Sequence, residues 1–548
     1  MNQKAQIPTS KISNRTFWII GAIICIVVIA ILAHDITRPF TGLHSWGEAH
    51  RSWFARNHVD YGLGYTKGVC TWAVGNPPAD SPRRYVDHPQ LRFLVHAAFM
   101  KVLGVNQVSI RIEVILMTVA SVLLLIKIVR SLTDEITALL TGLIFAVFPI
   151  NGYFGVGEWV FPLGLAAIWF YLVEIRGLKQ SDQPGKWNKW LLALSLFLGI
   201  MFSWEGFFVA LGIGVHYVAG CVFKKRWPKI GLLLILMIAP MLALIINFAV
   251  MMKAQGWGFD RILELYKWRA SEGEEASFQW GNWFARLWQF AILNFSWAVM
   301  ILTIAYFSLG QLLLLKPKEK TKKSKKVKAE QTSRRFPQFW LFLLPGVFQL
   351  FLLKGTLWKH HYWERPLCPF FALAAALGIL MIAELFGKIK PVISKAAIAI
   401  ITVIVIISCS FGIHHYYSIH HFSAERVKMY SDLNKRLAPD QTLLSFEPLT
   451  VNQHAAKGEH FRPEIGWYLN RKVKQVTKLE DIVKLAKTGK YPCYLMPAVH
   501  YNQQATNYLR AMSKRLTQVY KFQYIKITEN EPGLPYLVFD LTSNVEKR

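Results

Sequence analysis

Cysteine is scarce in this 548-residue chain: six residues, at positions 25, 70, 221, 368, 409 and 493, with no Cys-x-x-Cys pair. That spacing argues against a disulfide scaffold and against a zinc knuckle. Charge is thin as well. Only 18% of the residues are Asp, Glu, Lys or Arg, and acid is the scarcer sign, 33 against 63 basic residues, giving a formal charge of +30. No glycine-rich phosphate loop is visible, so no nucleotide is expected. An internal repeat is also missing. What the chain has instead is apolar residues, 53% of the total. A disordered chain and a fibrous repeat are excluded by that alone. The apolar residues fall into runs of about 18 to 25, the length needed to cross ~30 Å of hydrocarbon. The chain is a polytopic membrane protein.

The first run, Phe17–Ala33, follows a short basic segment holding Lys4, Lys11 and Arg15. It is longer than a signal-peptide core, and Ala33-His34-Asp35 is a poor cleavage site, so it reads as an anchor. Further spans are expected near 109–128, 136–152, 158–175, 188–203, 205–223, 229–251, 286–315, 338–354, 367–386 and 393–412, eleven in all. With the N-terminus in the cytoplasm, the internal segments hold 26 Lys or Arg, ten of them in 316–335, whereas the short external loops hold seven. Basic residues retained inside explain much of the positive charge and fix the orientation as N-in, C-out, so no nucleic acid is expected as a partner. Residues 90–103 are apolar but too short to span, and read as a helix at the outer membrane surface.

Two domains are expected: a transmembrane domain over 1–412 and an extracytoplasmic α/β domain over 413–548. Within the first, residues 34–108 form an external loop far longer than a connector needs, which usually signals function. The Lys-rich segment Lys316–Arg335 reads as a cytoplasmic topology anchor near anionic lipid. In the second, Thr442–Phe446, Tyr491–Met496, Tyr520–Ile527 and Tyr536–Leu541 predict strands, and Pro463–Leu469, Leu479–Lys487 and Gln503–Arg515 predict helices.

The spans are nearly free of charge, unlike those of a transporter, which keeps ionisable groups near the midplane. Acids, imidazoles and cations crowd the external loops instead: Asp35, Glu48, His50, Arg56, Asp87 and His88 early, Glu158, Glu205, Lys359, His360, His361, Glu364 and Arg365 later. Carboxylates can take a proton from a hydroxyl or hold a metal. Arg and Lys can neutralise a departing phosphate. Trp46, Ala49, Trp53 and Phe54 recur at helical spacing, predicting an amphipathic helix over Trp46–Asn57 that turns Glu48, Arg51 and His50 or Arg56 toward solution. For Glu158 and Glu205, a charge at a helix N-terminus is the simpler account.

The run His44-Ser45-Trp46-Gly47-Glu48-Ala49-His50, ending in Ala55-Arg56-Asn57, resembles the first external loop of the C-type (GT-C fold) glycosyltransferases. These use polyprenyl-phosphate sugars and include relatives of the aminoarabinose lipid A transferase and the protein O-mannosyltransferases. Asp87-His88-Pro89-Gln90-Leu91, followed by Leu103-Gly104 and Arg111, is similar to the stretch entering the second span of that family. His360-His361-Tyr362-Trp363, followed by Pro366-Leu367 and Pro369, is similar to its late "H-x-Y-Y-x-x-P-L-x-P". The resemblance covers the layout of about 1–412. It departs where the family's Asp-Glu pair is Gly47-Glu48, and where an Asp of the nearest forms is His50.

The resemblance implies an inverting glycosyltransferase of the cytoplasmic membrane, working on its outer side. A sugar would pass from a polyprenyl-phosphate donor to a hydroxyl on an envelope lipid, glycan or protein. The catalytic candidates are Glu48, then Asp87, with His50 beside them and Asp35 as a third carboxylate. Arg365, Lys359 and Arg56 are candidates for the donor phosphate, with snorkelling at a span end as the plain alternative for the first two. His88, His361 and Tyr362 are supporting residues. A divalent metal is the only cofactor to consider, through His360, His361 and Glu364, although a Pro-flanked loop need not bring the three together. A transporter or flippase of lipid-linked sugars and an O-antigen polymerase or ligase are the alternative functions. The topology is tested by reporter fusions at Lys325 and at the C-terminus. The expected signals are cytoplasmic and external respectively, and an external signal at Lys325 overturns the eleven-span layout.

Overall fold

The computed structural model describes residues 12–40, 45–78, 80, 84–152, 159–176, 187–256, 263, 279–315, 339–355, 360–418, 424–446, 465–498, 503–525 and 536–544. His44, Glu158, Lys359 and the Lys-rich segment 316–335 lie outside these. The chain divides into two compact units. One comprises 1–36, 87–92 and 111–417, and the other 37–86, 93–110 and 418–548.

The first unit is helical. Its opening helix, Asn14–Ala33, is capped by Ser13, whose hydroxyl accepts from the Thr16 amide at 3.1 Å. Asp134 does the same for Glu135–Ala146 through the Thr137 amide, each cap supplying a partner for an otherwise orphaned N–H. Gln107–Leu132 and Glu135–Ala146 form a tight hairpin because position 142 is Gly. A Cβ there would lie 2.4 Å from the Ile126 side chain. Six described helices are long and apolar enough to cross a membrane: Asn14–Ala33, Gln107–Leu132, Gly206–Phe223, Ile230–Gln255, His361–Gly387 and Val392–Ser418. Four shorter apolar helices, Glu135–Ala146, Val160–Ile175, Asn188–Phe202 and Phe339–Leu352, accompany them.

The span expected as one piece over 286–315 is two helices, Trp280–Phe295 and Trp297–Leu315, bent by 111° and counting as a seventh span if taken together. The break is at Ser296, a non-glycine residue at φ 75°, a conformation that costs about 1–3 kcal/mol and persists only where surroundings enforce it. Hydrophobic periodicity does not reveal such a bend, since both halves are apolar enough to pass together as one span.

The second unit holds a five-stranded sheet. Its strands are β3 (Thr442–Ser445), β4 (Lys472–Gln475), β5 (Cys493–Pro497), β6 (Tyr520–Ile525) and β7 (Tyr536–Asn544), and β1 and β2 are the short pair Cys70–Thr71 and Arg84–Tyr85. The order is β4-β3-β5-β7-β6, parallel across β4-β3-β5 and antiparallel beyond. Side chains alternate between the faces as strand geometry demands. Leu443, Leu495 and Val538 pack with Met429, Tyr430 and Leu433 of Ala424–Arg436. Leu444, Tyr494 and Phe539 pack on the opposite face with Ile482 and with Leu509, Met512 and Leu516 of Gln503–Thr517. Strand β4 escaped the sequence reading because it is a Lys-rich edge, a composition that discourages further pairing. Pro463–Leu469, expected as a helix, is a single π turn at Ile465–Leu469 among the described residues.

The helix expected over Trp46–Asn57 is present as Ser45–Asp60, with its surroundings corrected. Ala49, Trp53 and Phe54 are fully buried, but so are Glu48, His50 and Arg56 on the other side. It is an enclosed helix, not a half-solvated one. Trp53 lies against Gly466, where a Cβ would sit 2.3 Å from the indole. Overfilling such a contact typically costs about 1–3 kcal/mol. Gly466→Ala should therefore lower the thermal midpoint of the purified protein by several degrees. Gly214→Ala, where nothing stands within 4 Å, should leave it unchanged or slightly raised. Equal midpoints for the two variants would remove the steric account.

Candidate functional site

In the helical unit, the turn His361–Leu367 leads into Cys368–Gly387. Its residues supply most of a buried polar cluster. Arg365 is 3% exposed and donates through Nη2 to Glu205 Oε1 at 2.8 Å. The guanidinium lies 5.9 Å from the Tyr362 ring centre, within cation–π range. Glu364 is 2% exposed and accepts from Asn294 Nδ2 at 3.0 Å. That same Asn294 amide donates to the His361 carbonyl at 2.8 Å, and its Oδ1 accepts from Tyr416 Oη at 2.8 Å. The His361 ring stacks on Tyr416, and His360 stacks on Tyr362.

The break at Ser296 makes this possible, because it leaves Asn294 in the last turn of one half-helix, facing the 361–367 turn. Interrupted helices at membrane depth commonly deliver polar groups to a site in this way. Sequence reasoning missed Asn294 and Tyr416. The only available signal was an amide and a phenol inside otherwise apolar runs.

Glu205 precedes Gly206–Phe223, but its side chain makes no capping bond there. It stands at the helix N-terminus as expected, and it also pairs with Arg365. Next to it, Trp204 Nε1 donates to the Asp87 carbonyl at 2.9 Å, and Gln90 Nε2 donates to the His88 carbonyl at 2.6 Å. The Asp87-His88 peptide is thus tied to the turn that carries Glu205. Asp87 and His88 are half-buried. An apolar groove opens among Phe161, Ile168, Phe208, Leu341 and Pro369, with Glu205 and Pro366 on its wall. Both wall residues adjoin Arg365, Glu205 through its 2.8 Å bond and Pro366 as the next residue in the chain.

Asp35 is the third carboxylate named from the sequence. It is exposed, sits at φ 56° just past Asn14–Ala33, and pairs with His34 at 3.3 Å. Its carbonyl and that of Ile36 accept from Arg111. A second ionisable residue that the sequence reading passed over is Glu113, 1% exposed, which accepts from Trp159 Nε1 at 2.5 Å.

In the other unit, Glu48, His50 and Arg56 share the helix Ser45–Asp60. The His50 ring is enclosed by Phe54, Trp72 and Tyr85 at centroid separations of 4.1, 4.9 and 5.0 Å. Arg56 donates to the carbonyls of Trp467 and Gly466 at 2.7 and 2.6 Å and pairs with Asp60 at 3.4 Å. Its guanidinium works within the fold, so the phosphate role expected for it is not carried into the function proposed below. Asn57 clamps the carbonyls of Thr71 and Ala73 in a similar way. Among the described residues no three of His, Cys, Asp or Glu gather into a group able to hold a metal.

His58, 5% exposed, hydrogen bonds through Nδ1 to Thr66 Oγ1 at 2.9 Å, and that hydroxyl donates to the Gly62 carbonyl. Burial, with Arg84 nearby, pushes its pKa down to about 4. A histidine held neutral in the fold adds stability above its unfolded pKa near 6.5 and loses it as the pH falls toward the folded value. On the order of 3 kcal/mol is expected to drain away between about pH 6.5 and pH 4. His58→Gln should flatten the thermal midpoint across that window, measured by intrinsic fluorescence. A slope unchanged by the substitution would place the acid sensitivity elsewhere.

Residues 87–244 match the family described as dolichyl-phosphate-mannose-protein mannosyltransferase. The fold is similar to that of ArnT from Cupriavidus metallidurans bound to undecaprenyl phosphate, at 11% identity and a TM-score of 0.61, covering 97% of this chain and 98% of that one. It is also similar to the oligosaccharyltransferase AglB from Archaeoglobus fulgidus in complex with an inhibitory peptide and a dolichol-phosphate, at 8% identity and a TM-score of 0.51, covering 97% and 74%. Sequence comparison with curated proteins finds no match. The chain has the GT-C fold that its loop motifs implied, shared with ArnT, and its segment 87–244 matches the mannosyltransferase family.

Proposed function

We propose that this protein is a membrane glycosyltransferase of the GT-C type, moving a sugar from a polyprenyl-phosphate donor to an acceptor hydroxyl on the extracytoplasmic side. The observation that carries the reading is an apolar groove with Glu205, the partner of the buried Arg365, on its wall. A long isoprenoid tail needs an apolar channel, and its phosphate needs a cation at the end of it. The solved structures similar in fold hold undecaprenyl phosphate or dolichol-phosphate, which supports the same lipid class here. The acceptor is an envelope lipid, a glycan or a protein.

The chemistry follows from the residue types. An acceptor oxygen attacks the anomeric carbon opposite the phosphate, and a carboxylate takes its proton. The sugar–phosphate bond breaks with its electrons on the phosphate, and the configuration inverts. Arg365 neutralises the departing charge, with Lys359 a second cation for the same task. Glu48, the surviving acid of the family pair, is the base. Asp87, held by Trp204 beside Glu205, is the second carboxylate. His50 replaces an acid of related chains, and its aromatic enclosure suits packing behind Glu48 rather than proton transfer. A divalent metal has no step in this scheme.

The chain is placed in the cytoplasmic membrane with its N-terminus inside and the sheet of β3–β7 outside. Eleven crossings follow if the bent pair and the four shorter helices also span. Those four rise about 18–24 Å, and a locally thinned bilayer accommodates them.

The test is turnover of a polyprenyl-phosphate sugar by purified protein. Loss of a catalytic base typically costs about 10²–10⁴ in rate. Glu48→Gln should abolish transfer with normal membrane insertion, and Arg365→Ala should weaken donor use. Normal turnover by Glu48→Gln beside a dead Asp87→Asn moves the base to Asp87. Normal turnover by all three variants removes the mechanism.

A further inference from the structure

An arginine alone beside the groove would create a difficulty that follows from charge. The donor is a phosphodiester and carries one negative charge. The lipid product is a phosphomonoester, whose second ionisation lies near pH 6, so at neutral pH it approaches two. A lone cation in a low-dielectric site attracts the dianion more strongly, and the site would hold its product more tightly than its substrate.

The structure does not present a lone cation. Glu205 is fixed on the guanidinium at 2.8 Å, with both side chains buried, and the residue contributes to the groove wall. Glu364, the residue before Arg365, is buried beside it and engaged by Asn294. The guanidinium thus has a carboxylate on it before any lipid arrives. Arg365 can still orient a phosphate through its planar donors, but each further negative charge on that phosphate meets Glu205.

We infer that Glu205 is a specificity-determining residue that equalises binding of the lipid phosphodiester and the lipid phosphomonoester, allowing the spent carrier to leave. This rests on the donor reading given above. Glu205 itself neither attacks nor transfers a proton. It acts through Arg365, and removing its charge while keeping its shape should leave the arginine free to favour the dianion.

The experiment measures binding of two synthetic probes to the purified full-length protein at pH 8: undecaprenyl phosphate and its methyl phosphodiester, with undecaprenol as the uncharged reference. The wild type should bind the two phosphates within about threefold of each other, despite their difference in charge. Glu205→Gln should shift the ratio toward the monoester by about tenfold or more, and Glu205→Asp, which keeps the charge, should stay near the wild-type ratio. A merely structural role would weaken both probes together in Glu205→Gln and leave the ratio unmoved, which overturns the inference. A wild-type preference of tenfold or more for the monoester overturns it as well, whether or not the variants fold. Binding of neither phosphate above undecaprenol overturns the donor reading itself.

Discussion

A guanidinium withdrawn from water has to be answered by an anion or by a full set of acceptors, because its charge cannot be shed at any ordinary pH. Arg365 meets that requirement with Glu205, and much of the helical unit is arranged around the consequence. Glu205 has to sit at the start of Gly206–Phe223 to reach it. Trp204 then lies where it can hold the Asp87 carbonyl. Glu364, one residue before the arginine, needs its own donor, which is Asn294. Asn294 reaches it because a helix breaks at Ser296. Removing one partner of such a buried pair costs about 3–5 kcal/mol, since the other charge remains. The pair is therefore a weak source of stability and a strong constraint on arrangement.

The same rule reads differently in the sheet-bearing unit. Arg56 is nearly as buried as Arg365, yet it meets two backbone carbonyls and a half-exposed Asp60. Carbonyls cannot be exchanged for a ligand phosphate without leaving the turn at 466–467 unsupported. Its bonds therefore point to holding the fold rather than a ligand. A carboxylate partner such as Glu205 is different, because it can share the cation with an incoming anion. Two arginines of one sequence type, both in motif-like surroundings, are separated by what answers their charge.

Much of the architecture was legible in the sequence because its causes are local. A membrane crossing needs a run of apolar residues, and the runs at 14–33, 107–132, 206–223, 230–255 and 392–418 contain enough to be seen directly. The strands β3, β5 and β7 were legible as short apolar runs, since each buries side chains on two faces. What escaped depended on long-range partners. The burial of His50 follows from Trp72 and Tyr85 closing over the helix, and no spacing within Ser45–Asp60 announces that. The Glu205–Arg365 pair joins residues 160 positions apart. From the sequence, each looked like an ordinary charge at the end of a span.

The bend at Ser296 is the sharpest case, and it connects the fold to the site. A continuous helix over 280–315 would satisfy every backbone group and would be read as one span from composition alone. Breaking it leaves orphaned carbonyls and amides at membrane depth, which is tolerated only where side chains take them up. Ser296 at positive φ adds a further cost. These costs are offset in the turn that the break faces, where Asn294 bonds the His361 carbonyl, the Glu364 carboxylate and the Tyr416 hydroxyl at once. The polar turn before Cys368–Gly387 and the broken helix thus require each other. An unbroken helix would leave Glu364 buried without that amide, and a polar turn elsewhere would leave the break without a partner. The position of Arg365, one residue from Pro366 on the groove wall, follows from that mutual dependence rather than from any property of the arginine itself.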